Sequence, residues 1–390
     1  MTKKVLMLAA KANMIQQFNH RNIKILQNLG YEVHVATNMV DFGSMSAEEN
    51  ERFKQWMSDN KVVAHQVDFE RRMGSLKGNI RSIRQLRQIF KENNFAFIHV
   101  HSPLGSILGR LVAKQFKVPT VYTAHGFHFF KGGPKSGWLV FYPLEWIFSF
   151  ITDTLITINE EDYDLAKKHM HSKHIIRIYS NGVDVLNAKK VTQSEKNIKS
   201  KKFRENLCIP ESAFVISSVG ELSSRKNHKV VLESLNLLNE NERKNVYYLI
   251  AGIGKEKNNL LKMAESYGFQ NNLVLLGYQS DIHSLNFASD VSILPSLREG
   301  LGIAGLDAVV DGTWLLGTEV GGVTDYLIDG KNGEFINPEN PVSIKNKIEK
   351  LLHFKPRVCW NQSLLNFDYS SVDSIILDIY ESMNRENNEK

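Results

Sequence analysis

Val291-Ser-Ile-Leu-Pro295-Ser296-Leu-Arg-Glu299-Gly300-Leu301-Gly302-Ile303-Ala-Gly-Leu-Asp307-Ala-Val-Val-Asp-Gly312 reads as one strand, one loop and the start of one helix. Val291–Pro295 has the composition of a short buried strand. Gly300 and Gly302 let the backbone turn tightly and approach a ligand closely. A helix opens near Ile303, and its first turn offers unpaired N–H groups and a partial positive charge, which suit an anion. Glu299 stands just before that helix and Asp307 about one turn into it. One acid on the loop and one on the helix can grip two parts of an extended ligand. The blander alternative is a glycine-rich turn whose acid merely suits the helix dipole.

Outward from this unit the same pattern repeats. Upstream lie Phe214–Gly220, Tyr247–Gly252 and Leu273–Gly277, and downstream Trp314–Thr318. An earlier series contains Val5–Ala10, Val33–Thr37, Val62–Phe69, Phe97–His101, Thr120–His125, Thr154–Ile158 and Ile175–Tyr179, with amphipathic stretches such as Phe18–Leu29 and Ile80–Phe90 between them. Apolar strands spaced by helices predict parallel sheets covered on both faces and doubly wound. Residues 188–202, rich in Lys, Ser and Asn, read as a linker. The expected division is an N-terminal domain over 1–187, the linker 188–202, a second domain over 203–368, and a C-terminal helix and tail over 369–390 that packs back on the first domain. The fold class is therefore α/β: two Rossmann-like domains facing a cleft, with ligands at the carboxyl ends of the strands.

Composition narrows the function. The chain has 390 residues, 42% hydrophobic and 23% charged, which excludes wholesale disorder and fibrous classes. Forty-eight Lys and Arg against 42 Asp and Glu give a net charge of +6, compatible with an anionic ligand or surface. The basic residues are not interleaved with a stacking platform, so no nucleic-acid partner is expected. Cys208 and Cys359 are the only two cysteines, which excludes a disulfide framework. The apolar run Val5–Ala10 is too short for an export signal, and no stretch approaches a membrane span. The expected location is cytoplasmic, at the inner face of the membrane if the surface helices below engage lipid.

Two further stretches carry chemistry. Val219-Gly-Glu-Leu-Ser-Ser-Arg225-Lys226-Asn-His ends a strand with adjacent cations that can neutralise a diphosphate without a metal; solvated surface cations are the plainer reading. Tyr122-Thr-Ala-His125-Gly-Phe-His128 places His125 past another strand, where a neutral imidazole can bond a sugar hydroxyl or relay a proton, or serve only structure. His99 and His101 carry the same two readings. No D-x-D arrangement stands at a strand end, since Asp162-Tyr-Asp164 falls in a helical pattern.

Landmarks spread over most of the chain carry a resemblance. They are His101-Ser-Pro-Leu-Gly, Tyr122-Thr-Ala-His-Gly-Phe-His, Thr157-Ile-Asn-Glu-Glu-Asp-Tyr, Asn181-Gly-Val-Asp, Gly220-Glu-Leu-Ser-Ser-Arg-Lys-Asn-His, Gly277-Tyr-Gln-Ser-Asp-Ile, Arg298-Glu-Gly-Leu-Gly and Gly321-Gly-Val-Thr-Asp-Tyr-Leu-Ile-Asp-Gly. Their order and spacing resemble retaining glycosyltransferases of family four with the GT-B architecture, of the bacterial capsule and exopolysaccharide type.

The resemblance implies roles. Arg225 and Lys226 match the pair that binds the donor diphosphate, and Glu299 the first acid of an E-x7-E motif, facing the transferred sugar. Asp307 stands where the second acid holds the ribose hydroxyls. Gly300, Leu301, Gly302 and Ile303 would supply amides, and Tyr278–Asp281 would cradle the base. His125 matches the histidine beside the donor sugar. The catalytic set is then His125, Glu299, Arg225 and Lys226. The reaction implied is retaining, needs no metal or cofactor, and moves a sugar from a nucleotide donor, UDP-linked, to a lipid-linked saccharide in surface polysaccharide assembly. The donor's own phosphate would help take the acceptor proton. The sequence departs from the pattern in three places: Asp307 is one methylene short, Gly312-Thr-Trp314-Leu-Leu-Gly replaces Gly-x-Pro-Val, and Ala9-Ala-Lys-Ala-Asn13 replaces a glycine-rich turn. A UDP-sugar epimerase and a non-catalytic binding protein of the same architecture are the alternatives.

Two stretches bear on a membrane. Trp138–Ile151 is dense in aromatics and is either a buried helix behind His125 or an interfacial one. Over Arg71–Lys91, Arg81, Arg84, Arg87 and Lys91 gather on one face and Ile80, Ile83, Leu86 and Phe90 on another, which suits an anionic lipid surface or plain solvent.

Overall fold

The computed structural model describes residues 2–388 except 44, 71, 72, 102 and 131. Arg71 and Ser102, which fall in two of the stretches above, lie outside the described residues. The chain divides into two compact units, Met1–Asn181 with Ser370–Lys390, and Gly182–Tyr369.

In the first unit the described strands are β1 (Lys4–Lys11), β2 (Glu32–Asn38), β3 (Val63–Gln66), β4 (Phe95–His101), β5 (Thr120–Ala124), β6 (Thr154–Thr157) and β7 (His174–Arg177). They form one parallel sheet in the order β3-β2-β1-β4-β5-β6-β7. The N-terminal apolar run is an interior strand, flanked by β2 and β4, with Val5 to Ala9 wholly buried. The helix Tyr369–Asn388 belongs to this unit from Ser370 on. Tyr380, fully buried, meets His99 Nδ1 at 2.7 Å, and Asp373 pairs with Arg21.

The second unit contains β8 (Phe214–Val219), β9 (Val246–Ala251), β10 (Leu273–Gly277), β11 (Val291–Leu294), β12 (Trp314–Thr318) and β13 (Gly333–Ile336). These too are parallel, in the order β10-β9-β8-β11-β12-β13. The architecture of both units is thus α/β and Rossmann-like. The core of the second unit gathers Ile216, Tyr248, Ile250, Ile293 and Leu316, and Trp314 joins it at the start of β12.

Three readings need correction, and a fourth, left open, is refined. The expected linker 188–202 is largely helical: it ends the helix Val185–Lys190 and enters the helix Gln193–Asn206. Thr192 and Glu195 close a capping box there, and Arg204 fastens the helix to Ala288 O at 2.9 Å and to Asp290 at 3.0 Å. The unit boundary lies at Asn181/Gly182, not after 187. In the helix Leu76–Glu92, Leu86 and Phe90 are buried but Ile80 is exposed, so the apolar face is narrower than expected. The aromatic helix Lys135–Ser149 is only half covered. Phe141, Tyr142 and Trp138 pack on the core, whereas Leu139, Val140, Trp146 and Ile147, with Phe150 just beyond, face outward. No helix of the described residues is long and apolar enough to cross a membrane.

Candidate functional site

In the second unit the strand order reverses between β8 and β11, and the loops leaving a sheet at such a point diverge to leave a crevice. Both informative motifs sit there. The loop after β8 carries Arg225 and Lys226, and the loop after β11 carries Glu299. Lys226 Nζ donates to Glu299 Oε1 at 2.6 Å, with the two side chains only 12% and 7% exposed. Arg225 is more open, 3.7 Å from Glu299 Oε2, and donates to Arg298 O at 3.0 Å. The backbone joins the loops as well, with Leu297 N–H donating to Arg225 O at 2.9 Å. The structure thus brings Glu299 to an adjacent pair of cations that precede it by more than seventy positions.

Gly302, at φ +78°, caps the helix Ile303–Asp311 without a side chain, so no side chain takes the first-turn amides, of which Gly305 N–H donates to Gly302 O at 2.9 Å. The segment after β12 braces this loop. Gly322 N–H donates to Gly300 O at 2.8 Å, and the buried Tyr326 hydroxyl donates to Gly302 O at 2.7 Å. Gly321 permits the approach: at φ +51°, a Cβ there would stand 2.1 Å from Glu299 O. Gly322 and Tyr326 thus brace the loop that carries Glu299, and Gly321 leaves room for it. The landmark Gly321–Gly330 contains both the glycine pair and Tyr326, but it carried no sign of the bond from Tyr326 to Gly302.

Asp307 lies one turn down the helix and is partly buried. Burial first, then the like charge of Asp311, pushes its carboxyl up to about 7, against the pull of His283. Tyr278 is 72% exposed at the end of β10. Asp281, in the same loop, is committed to capping, accepting from Ser284 N–H at 3.0 Å and from its hydroxyl at 2.6 Å.

In the first unit His125 follows β5 and lines a cavity of about 210 Å³ with Met14, Tyr122, His128, Phe141 and Glu145. Burial depresses its imidazole to about 4, so it is neutral at pH 7. Its Nε2 meets His101 Nδ1 at 3.1 Å. His99 is placed structurally, between Tyr380 and Thr123. In the cavity wall, Glu145 is paired with buried Arg110 at 3.1 Å and accepts from Tyr122 at 2.8 Å. Asp162 sits in the helix Glu160–His169 and accepts from Phe127 N–H at 3.2 Å. Among the described residues, no three His, Cys, Asp or Glu side chains gather as a metal group would.

Comparison with known proteins identifies the family. Residues 199–359 match the family described as Glycosyl transferases group 1, and residues 16–185 that described as Glycosyltransferase Family 4. EpsD of Bacillus subtilis (strain 168), named as a glycosyltransferase, is 31% identical over 391 residues, 97% of each chain. The UDP-Gal:alpha-D-GlcNAc-diphosphoundecaprenol alpha-1,3-galactosyltransferase of Escherichia coli is 29% identical, covering 83% of this chain and 85% of its own. The capsular polysaccharide biosynthesis glycosyltransferase CapM of Staphylococcus aureus is 23% identical, covering 85% and 83%. Among solved structures, Anabaena HepE in complex with UDP and glucose shares the fold, with a TM-score of 0.75 and 18% identity over 97% of this chain and 100% of its own. With a relative this similar end to end and both halves matched, the chain belongs to the group 1, family four glycosyltransferases of GT-B architecture, of the bacterial capsule and exopolysaccharide type.

Proposed function

We propose that the protein transfers a sugar, with retention at the anomeric carbon and without a metal, from a UDP-linked donor to a lipid-linked saccharide during surface polysaccharide assembly. The observation that carries this reading is the convergence of Arg225, Lys226 and Glu299 at the strand-order reversal. Two cations and a helix N-terminus form a preorganised cradle for a leaving diphosphate. Glu299, anchored by Lys226, presents a fixed carboxylate where positive charge develops at the sugar. Asp307 holds the ribose, Gly300 to Ile303 supply amides, and Tyr278 lies beside the base. His125, neutral, bonds a sugar hydroxyl. The donor phosphate takes the acceptor proton on the face that the leaving group vacates, so no carboxylate nucleophile is needed.

The activity named for the Escherichia coli relative supports UDP and a diphosphoundecaprenol acceptor, and the HepE complex supports UDP. The outward Leu139, Val140, Trp146, Ile147 and Phe150 suit peripheral contact with lipid at the cytoplasmic face. The test is transfer from a panel of UDP-sugars to a polyprenyl-diphosphate saccharide in excess EDTA, with the anomer read by NMR. A product of inverted configuration, or activity that needs added divalent metal, would refute the mechanism. A donor-only control separates transfer from epimerisation.

A further inference from the structure

The helix Ile282–Ala288 packs against the helix Ile303–Asp311, and one polar cluster joins them. Asp311 is wholly enclosed, its side chain 0% exposed. Its two oxygens are taken up by His283 Nδ1, at 2.8 and 3.0 Å, and by Asn286 Nδ2, at 2.7 Å. A buried carboxylate facing Nδ1 fixes the proton on that nitrogen. The other nitrogen, Nε2, has no partner among the described residues, and the ring is open to solvent, with the side chain 46% exposed. His283 is therefore held in one orientation with one polar atom presented outward.

Asp307 precedes Asp311 by four residues, so the two carboxylates share a helix face and His283 lies against that face. Asp307 accepts no hydrogen bond among the described residues, although it is partly buried. Such a carboxylate gains from a hydroxyl partner that the protein does not supply. The place of that partner follows from the rest of the site. A diphosphate at Lys226 and Gly302 starts at the helix N-terminus, and Asp307 lies about 6 Å further along the axis, where the nucleoside follows.

We propose that His283, clamped by Asp311, is a nucleotide-specificity residue: its Nε2 and the Asp307 carboxylate together hold the ribose diol, so that the site selects ribonucleotides over deoxyribonucleotides. This rests on the reading that the donor nucleotide binds beside Arg225, Lys226 and Glu299. Asp307 accepts from one hydroxyl; the bond to Asp311 raises the His283 imidazole above its usual range, so its Nε2–H donates to the oxygen of the other. The clamp supplies the reach that the short Asp307 side chain lacks.

The experiment measures binding of UDP and 2′-deoxy-UDP to the full chain by calorimetry and takes their affinity ratio as the readout. A ratio measured on one protein is insensitive to a partly unfolded sample. His283→Asn keeps an amide near the Nδ1 position, for Asp311, and removes Nε2; His283→Gln keeps an atom near Nε2. Wild type should prefer UDP. His283→Asn should shrink the preference about three- to tenfold, the worth of one hydrogen bond, and His283→Gln should retain most of it. If His283→Asn keeps the full preference while Asp307→Ala loses it, Asp307 holds the diol alone and the role of His283 is overturned. If wild type binds neither ligand, or both equally, the reading of the nucleotide site falls as well.

Discussion

Replacing Glu299 by Gln should move ligand binding and turnover in opposite directions. In the free protein Lys226 is committed to Glu299 at 2.6 Å, in a nearly buried setting. A charge-assisted bond of this kind is worth roughly 1.5–3 kcal/mol net. A diphosphate arriving at Lys226 has to share it with that carboxylate. Gln keeps the shape and still accepts a hydrogen bond from Lys226, but gives up the charge. If somewhat under half of the bond's worth passes to the ligand, about 1 kcal/mol, UDP binds about fivefold tighter. On the proposed role of Glu299 turnover falls, because the fixed negative charge it would hold opposite the reacting carbon is gone. Removing one preorganised electrostatic partner costs roughly 3–4 kcal/mol of barrier, a slowing on the order of a hundred- to a thousandfold. Calorimetry with UDP and a radiolabelled transfer assay on the same preparation read the two numbers. A parallel loss of UDP affinity and activity would refute the reasoning, because Glu299 would then hold the nucleotide directly instead of competing for Lys226.

Further outcomes follow from other parts of the structure. Gly321→Ala should cost roughly 2–4 kcal/mol in chemical denaturation of the second unit, because its Cβ meets Glu299 O at 2.1 Å, whereas Gly330→Ala, with a similar positive φ and nothing within 4 Å, should cost only about 1 kcal/mol. The first unit should lose stability as pH falls from about 6.5 towards 4. Burial depresses His20 and His125 to about 4 and His99 to about 3, so the unfolded chain binds protons first; a melting temperature flat over that range would contradict the assignment. Ile147→Ser with Phe150→Ser should weaken binding to anionic vesicles at low salt while leaving UDP affinity unchanged; undiminished vesicle binding would remove this face as the contact.

The sequence disclosed most of the framework through one repeated signal, an apolar run ending in a glycine or polar turn ahead of a helical period. That signal fails at β13, where Gly333 opens the strand and Glu334 faces Lys347 and Lys350, so the alternation resembles a surface loop. It failed again over 188–202, where composition suggested a linker although Thr192 and Glu195 already spelled a capping box. Trp314, an anomaly in the motif, is core packing at the start of β12. In the site, the residues of contiguous motifs were legible, and the pairs that fix them were not. The clamp between His283 and Asp311 spans two helices, and neither residue type announces a partner 28 positions away. Tyr326 supports Gly302 through a single hydroxyl, which no pattern of spacing reveals.

The first unit is built from both ends of the chain, with the stretch 182–369 between its parts. A ribosome extends a chain by about 5–20 residues per second, so the amino-terminal part waits roughly ten to forty seconds for its last helix. During that wait His99 has no Tyr380, and Arg21 has no Asp373. The apolar ground under Val372, Ile376, Ile379 and Met383, all buried in the finished protein, is uncovered. Synthesis therefore passes through a half-finished intermediate whose uncovered apolar surface is open to a chaperone or a protease. A premature stop late in the coding region should accordingly damage the beginning of the protein more than the middle.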